Sequence, residues 1–457
     1  MMLSFAAPAG ILLLAAAGCA SLPDTDALIE RHAGQVASFE NARGPLSARQ
    51  GAAVLAELKR KSGDIDVLEK QIVLEQAIGG SPLILGNRVT LLEDGAATYP
   101  AMFAAIRAAR DHVNMQTFII EDDEVGREFA DVLLEQQARG VQVNLIYDSI
   151  GAFSTPPAFF ERLRAGGIAV LEFNPVSPLK GNTAWRINNR DHRKLLIVDG
   201  QTAFLGGINI SSVYASGSAG RKARGDEAAA WRDTDVQIEG PVVREFQKLF
   251  VQTWEKQRGE ALDNRAYFPT LQPQGRELVR AIGSTPDEAY SLMYLTLISA
   301  IGNAEKHVFL TNAYFVPDPQ LLKALTDAAA RGVDVRLLLP GHTDSQVVFH
   351  AGRSYYSQLL KAGVKIHERK GALLHAKTAL IDGVWSTVGS TNLDWRSALD
   401  NDELNAVVIG REFGQRMHAM FARDLEASQA IDAAGWEARG LALRFKEWMA
   451  RVWGRLL

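Results

Sequence analysis

The sequence predicts an α/β fold made of two similar halves, each a mixed sheet flanked by helices, related by a pseudo-twofold with the active site at their interface. Two observations carry this reading. Phrases in which a helix feeds a strand recur in the same order at a long interval, and each half closes its repeat with the same line of polar residues. A third is the composition: 47% hydrophobic and 22% charged residues over 457 positions allow large cores and set aside disordered and fibrous classes.

In chain order, residues 1–19 come first and are set apart from the fold. Leu3 to Gly18 is apolar or small throughout and runs into Ala16-Ala17-Gly18-Cys19, too short for a comfortable bilayer span. The segment resembles the leader of an exported bacterial lipoprotein, with Ala16 where such leaders usually carry leucine. That resemblance implies that Cys19 takes lipid and holds the chain on a membrane of the cell envelope. The alternative is an N-terminal helix on a protein peripheral to the inner membrane. Cys19 is the one cysteine of the chain, which excludes an intramolecular disulfide framework and any cysteine-based zinc or iron–sulfur site. Residues 20–85 read as an N-terminal helical appendage, with Leu55, Leu58, Ile65, Leu68, Ile72 and Leu74 at helical spacing.

The first half, 86–270, and the second, 271–430, repeat one another. Ile106–Val113 followed by a β-rich stretch to Ile120 matches Ile301–Val308 followed by Phe309–Val316. Ala138-Arg139-Gly140-Val141 returns as Ala330-Arg331-Gly332-Val333, and Leu163-Arg164-Ala165-Gly166 as Leu360-Lys361-Ala362-Gly363. In each phrase a glycine stands where a helix C-terminus needs a left-handed residue, and a β-branched run follows. The unit is therefore β-α-β-α-β, used twice. The halves meet in a turn-rich stretch holding Asn264, Pro269, Pro273 and Gly275. The last segment, 431–457, reads as a basic amphipathic helix: Leu441, Phe445, Trp448, Met449, Val452 and Leu456 recur at helical spacing among Arg439, Arg444, Lys446, Arg451 and Arg455. It suits either a membrane interface or a terminal helix docked on the protein's own core. Apart from the leader, no stretch approaches the length of apolar chain that a membrane helix needs.

Each half then delivers the same chemistry. His192-Arg193-Lys194, Asp199-Gly200 and Gly206-Gly207-Ile208-Asn209 align without a gap with His375-Ala376-Lys377, Asp382-Gly383 and Gly389-Ser390-Thr391-Asn392. One such set arises by accident; two at equivalent points of a repeat do not. On a strand, positions i and i+2 share a face, so each imidazole projects beside its ammonium. The glycines that follow let backbone approach an anion, and the asparagine amide adds a donor. Lys194, Asn209, Lys377 and Asn392 are therefore the candidate phosphate-binding residues, with His192 and His375 placed to attack and to move protons. A lysine ammonium has no lone pair for a metal, and no His/Cys cluster accompanies these histidines, so neither metal nor other cofactor is expected. The acidic run Glu121-Asp122-Asp123-Glu124 reads as a solvated loop. A net charge of −4 argues against nucleic acid as a partner.

The doubled pattern resembles the phospholipase D superfamily over about residues 86–430. Within it, Gly86-Asn87-Arg88-Val89, Trp231-Arg232-Asp233-Thr234, Gly240-Pro241, Tyr314-Phe315-Val316-Pro317-Asp318 and Gly389–Ser397 are similar to bacterial cardiolipin synthases, which usually carry membrane-spanning helices where this chain has a lipoprotein-like leader. The resemblance implies a catalytic set of His192, Lys194, Asp199, His375, Lys377 and Asp382 and a two-step transfer through a phosphohistidine. By that analogy His192 attacks phosphorus, while His375 protonates the departing alcohol and deprotonates the incoming one. The residues alone leave the order of the two histidines open, and they read Asp199 and Asp382 as structural residues at strand ends.

Aligning Asp235–Gly240 with Asn405–Gly410 sets Asp233 opposite Glu403. The expectation is that Asp233 orients His192 and Glu403 orients His375. The longer first-half loop Tyr214–Ala230, with Arg221-Lys222-Ala223-Arg224, is a candidate headgroup contact or a solvated tip; the insertion Asn174–Asp191, with Trp185 and Arg186, is a candidate wall of the cleft. The expected function is phosphatidyltransfer of cardiolipin synthase type at a membrane surface, joining two phosphatidylglycerols with release of glycerol. Competing readings are a phospholipase D-type phosphodiesterase with water as acceptor, a nuclease, and an anionic lipid-binding protein without turnover.

Overall fold

The computed structural model describes residue 27 and residues 37–62, 66–79, 81–176, 188–215, 230–262, 264–288 and 291–452. Cys19, Trp185, Arg186, Arg221, Lys222, Arg224, Arg455 and Leu456 lie outside the described residues.

The first half runs β1 (Leu83–Glu93), helix Asp94–Ala108, β2 (His112–Thr117), helix Glu124–Ala138, β3 (Gln142–Asp148), helix Pro157–Ala165, β4 (Ala169–Phe173), β5 (Leu195–Val198), β6 (Thr202–Gly206), β7 (Thr234–Glu239) and helix Val243–Lys256. The second follows the same order: β8 (Glu277–Ser284), helix Leu292–Gly302, β9 (His307–Asn312), helix Pro319–Ala330, β10 (Asp334–Pro340), helices Gln346–Arg353 and Tyr356–Lys361, β11 (Lys365–Arg369), β12 (Lys377–Ile381), β13 (Trp385–Gly389), β14 (Asn401–Ile409) and helix Arg411–Glu426. Strands β2, β3 and β4 are parallel, and the sheet continues antiparallel from β2 through β5, β6 and β7 to β1. Strands β9, β10 and β11 are likewise parallel, and β9 continues antiparallel through β12, β13 and β14 to β8. The sheets meet where β1 and β8 pair antiparallel, Leu278 opposite Leu85. The sequence repeat is thus a repeat of sheet order.

Strands covered on both faces read as continuous apolar runs, as β5 (Leu-Leu-Ile-Val) does; β14 is also buried at every residue, although it opens with Asn401, Asp402 and Glu403. Inner faces of both sheets close on Phe246, Phe250 and Trp254 of helix Val243–Lys256 and on Phe413, Met417 and Phe421 of helix Arg411–Glu426, forming one cluster that both halves share. Each outer face has its own cluster.

Gly140, Gly332 and Gly363 take the left-handed backbone, with φ of +90°, +91° and +92°. The fourth such glycine is Gly167, φ +88°, not Gly166, whose φ is −82°. Gly166 is the last turn's cap, as Ala362 is in the second half, and the chain reverses one residue later.

The N-terminal appendage is not wholly helical. Phe39–Asn41 pairs antiparallel with Gly44–Pro45 and parallel with the start of β1, an order set by long-range pairing rather than by local periodicity. Helices Ala48–Ser62 and Asp66–Gly79 follow. The second of these docks on the second half: Gln71 Nε2 donates to Thr296 O at 2.8 Å, and Trp385 Nε1 donates to Glu75 at 2.7 Å. Glu75 also lies 3.6 Å from Arg280, a fully buried pair in which no guanidinium nitrogen has a hydrogen-bond partner among the described residues. Burial raises the Glu75 carboxyl and lowers the Arg280 guanidinium, each against the attraction of the other. No helix among the described residues is long and apolar enough to cross a membrane.

Candidate active site

The segments that introduce the two histidines and their carboxylates cross between the halves. Arg190–Asp191 pairs in parallel with Asn401–Asp402 at the start of β14, and His192 N donates to Asp402 O at 3.0 Å. Trp231–Arg232 pairs in parallel with Leu373–Leu374, and His375 N donates to Arg232 O at 2.8 Å. The next residue along each partner is a carboxylate. Glu403 Oε1 and Oε2 therefore stand 3.1 and 3.2 Å from His192 Nδ1, and Asp233 Oδ2 stands 2.7 Å from His375 Nδ1. This reverses the expected assignment of Asp233 to His192 and Glu403 to His375. Alignment identifies the two carboxylates as equivalents, but the parallel pairings hand each one to the other half.

The charge states fix the tautomers. Burial alone would raise both carboxyls; the histidines and lysines beside them overcome it, holding Glu403 at about 2 and Asp233 below the usual carboxylate range. An ionised carboxylate only accepts, so each Nδ1 donates to it and each neutral imidazole carries its lone pair on Nε2. Burial, then the adjacent lysine, pulls His192 and His375 down to about 4 despite their carboxylates. Both are neutral near pH 7 in the unliganded protein. Lys194 is lowered to about 7 by burial and by Lys377, and Lys377 to about 8 by burial, against Asp233 and Glu403. Each histidine also feels the lysine of the opposite motif. The two motifs therefore face one site, where the two ammonium groups crowd each other.

Lys194 Nζ donates to His192 O at 2.6 Å, and Lys377 Nζ donates to His375 O and also lies 3.0 Å from His375 Nδ1; each ammonium keeps donor capacity for a phosphate. Asn209 Oδ1 accepts from Ile119 N at 3.1 Å, and its Nδ2 donates to Tyr214 Oη at 3.0 Å. Asn392 is buried, and its Oδ1 has no hydrogen-bond partner among the described residues. Asp199 and Asp382 sit with φ of +53° and +52° and accept from backbone N–H groups of Arg110, Asp111 and His112, and of Glu305, Lys306 and His307. Their carboxylates brace the turns before β2 and β9. The acidic run is also occupied: Asp123 caps helix Glu124–Ala138, and Glu121 accepts from Ser211 at 2.5 Å, two residues past Asn209.

The motif glycines serve a close approach within the protein. A Cβ on Gly207 would fall 2.2 Å from Asp233 Oδ1. At the equivalent point the second half has Ser390, whose hydroxyl donates to Glu403. What the glycine admits is the orienting carboxylate, where the sequence suggested a bound anion.

Several contacts escaped the sequence. The Phe118 ring meets His192 edge-on at 5.1 Å and lies 5.2 Å from Lys194 Nζ; Trp231 and Tyr314 lie 5.1 and 6.2 Å from His375. Arg193 donates to Glu403 O, Thr253 and Ser284 O, and Arg232 forms a two-pronged pair with Asp424 at 2.9 and 2.8 Å. Both arginines adjoin a site residue in sequence, which was the available signal; their partners were not. Taken together, two oriented imidazoles and two lysines around one buried centre suit nucleophilic and acid–base chemistry on a phosphodiester.

The profile of the family described as cardiolipin synthase, PLD-like domain, matches residues 102–254 and 297–425. The cardiolipin synthase of Geobacillus thermodenitrificans is 34% identical over 387 residues, 84% of this chain and 75% of the relative. Cardiolipin synthase A of Pseudomonas putida is 35% identical over 356 residues, 78% and 72% of the two chains. Among solved structures, phosphatidylserine synthase of Haemophilus influenzae is similar in fold, with a TM-score of 0.57 at 12% identity over 80% of this chain and 93% of that one.

Proposed function

We infer the reaction from a premise that the relatives establish: the chain belongs to the cardiolipin synthase family of the phospholipase D superfamily. It is a phosphatidyltransferase of cardiolipin synthase type, and its substrate is a phospholipid. The finer reading is that phosphatidylglycerol, met at a membrane surface, is both donor and acceptor. The observation that supports it is the pair of histidines, each oriented by a carboxylate from the opposite half around two lysines.

His192 Nε2 attacks phosphorus, and the bond to the glycerol oxygen breaks as that oxygen takes a proton from Nε2 of His375. Burial first and lysine repulsion second keep His375 neutral in the free protein; the phosphodiester anion, bound between Lys194 and Lys377, offsets the repulsion, and His375 takes up a proton from solvent as the substrate binds. A second phosphatidylglycerol then gives its hydroxyl proton to neutral His375, its oxygen attacks phosphorus, and the bond to His192 breaks. Asn209 and Asn392 flank the phosphoryl oxygens. Lipidation at Cys19 would add an anchor in the cell envelope.

Incubation of the protein with phosphatidylglycerol vesicles in chelator tests this. Cardiolipin and glycerol are expected in equal amounts. Phosphatidic acid alone would make the protein a hydrolase, and activity abolished by chelator and restored by one divalent ion would remove the lysine-based mechanism.

A further inference from the structure

In each half, exposed apolar side chains sit on a segment packed against the backbone of an aromatic, Phe118 or Phe315, that is itself, or adjoins, a ring facing a motif histidine. In the first half, the turn after β3 exposes Ile150 and Phe153, the latter 79% accessible. Its Gly151 approaches Phe118 so closely that a Cβ would lie 2.1 Å from Phe118 O, and the Phe118 ring contacts His192. In the second half, the matching segment after β10 is helix Gln346–Arg353. Its Gly352 would place a Cβ 2.2 Å from Phe315 O, next to Tyr314, whose ring faces His375 and whose hydroxyl donates to Asp344 at 2.8 Å just before that helix. Helix Leu441–Val452 lies along this segment, burying only Glu447 and Ala450. It leaves Phe445 and Trp448 61% and 58% exposed, beside Met449 and Val347. The terminal helix therefore does not dock its apolar stripe on the protein's own core.

We propose that these two lips are a bilayer-docking surface, seating the chain on anionic phospholipid with the histidine cleft facing the headgroups. The occupant follows from charge and position. Lys446 and Arg451 are exposed on the same helix, and Lys446 enters no ion pair among the described residues. Aromatics flanked by cations suit the boundary between headgroups and acyl chains of an anionic leaflet. A cleft framed by exposed apolar side chains on both sides, and by cations on the second, meets a phosphodiester without lifting the lipid from its layer. The proposal rests on the phospholipid reading of the site, yet its test does not require turnover.

The test uses the full chain with Cys19→Ser and a single cysteine, Phe153→Cys or Trp448→Cys, carrying an environment-sensitive fluorophore; Arg139→Cys, at the end of helix Glu124–Ala138, is the control. With phosphatidylglycerol vesicles, fluorophores at 153 and 448 should shift to the blue and be quenched by brominated acyl chains, and the one at 139 should do neither. Affinity should fall with added salt and on replacing phosphatidylglycerol by phosphatidylcholine. Phe445→Ser with Trp448→Ser should weaken vesicle binding about tenfold or more while sparing activity on monomeric short-chain phosphatidylglycerol. No shift at 153 or 448, an equal shift at 139, equal losses on both substrates, or a shift that follows protein concentration without vesicles would each overturn the proposal; the last would assign the surface to a second copy. Insertion without cardiolipin formation would overturn the reaction and leave the surface standing.

Discussion

Glu403 reaches His192 across the boundary between the two halves, Oε1 3.1 Å from Nδ1, and Ser390 of its own half donates to its other oxygen. The geometry makes the pairing testable by function. If His192 is the nucleophile, Glu403→Gln should slow formation of the covalent intermediate, on the order of 10²–10⁴-fold. Asp233→Asn should behave like His375→Ala: poor with phosphatidylglycerol, partly rescued with a phosphatidyl ester of p-nitrophenol, whose leaving group needs no proton. Single-turnover labelling of both variants on both substrates checks this. Rescue of Glu403→Gln in place of Asp233→Asn would reverse the histidine roles.

His375→Ala itself should accumulate phosphatidyl label on His192, because hydrolysis or transfer from the intermediate has lost its base. His192→Ala should show neither rescue nor label, since a better leaving group does not replace a nucleophile. Peptide mapping of the labelled protein decides between the two sites.

Anion binding should weaken as pH rises. Lys194 and Lys377 titrate at about 7 and about 8 in the unliganded protein; both are cationic below this window and both lose charge above it. Tungstate, which does not itself titrate there, should bind tightest below pH 7, progressively less tightly through pH 8, and with proton uptake inside the window. Calorimetry in buffers of different ionisation enthalpy measures both. Lys194→Met should remove the lower part of the dependence.

Gly207→Ala and Gly363→Ala separate two uses of glycine. The first drives a methyl into Asp233 and should reproduce the substrate-rescue profile of Asp233→Asn, with a loss of about 10²-fold or more. The second meets no atom within 4 Å and should cost only the left-handed backbone, about 1–2 kcal/mol of stability, with activity intact. Denaturant unfolding and the two-substrate assay read them apart.

The pair of Glu75 and Arg280 tests what joins the appendage to the second half. Glu75→Ala strands a buried guanidinium and should cost about 3–5 kcal/mol, whereas Glu75→Gln with Arg280→Met should be neutral or stabilising. Denaturant midpoints of the single and double variants provide the comparison.

Repetition made much of this molecule legible beforehand. The phrases ending at Gly140 and Gly332 marked equivalent helix ends, and two gapless sets from histidine to asparagine marked equivalent strands, because spacing along a strand determines which side chains share a face. Asp233 and Glu403 were found the same way. Which histidine each one serves was not, since that depends on the short parallel pairings of residues 190–191 and 231–232, whose registers leave no local periodicity. Arg193, Phe118 and Tyr214 escape a reading of the sequence for a related reason: each meets a partner far away in the chain, Arg193 the backbone of Glu403, Phe118 the ring of His192 and Tyr214 the ring of His375.

Those two short pairings have a consequence for ancestry and assembly. Neither half, taken by itself, supplies the carboxylate that orients its own motif histidine. A polypeptide with a single copy of the repeat would complete that couple only by embracing a twin, so a symmetric dimer is the simplest ancestor this architecture allows. In this chain the copies are mutually dependent: damage at Asp233 or Glu403 leaves the histidine of the opposite repeat without its orienting carboxylate, so neither repeat can lose its carboxylate without cost to the other.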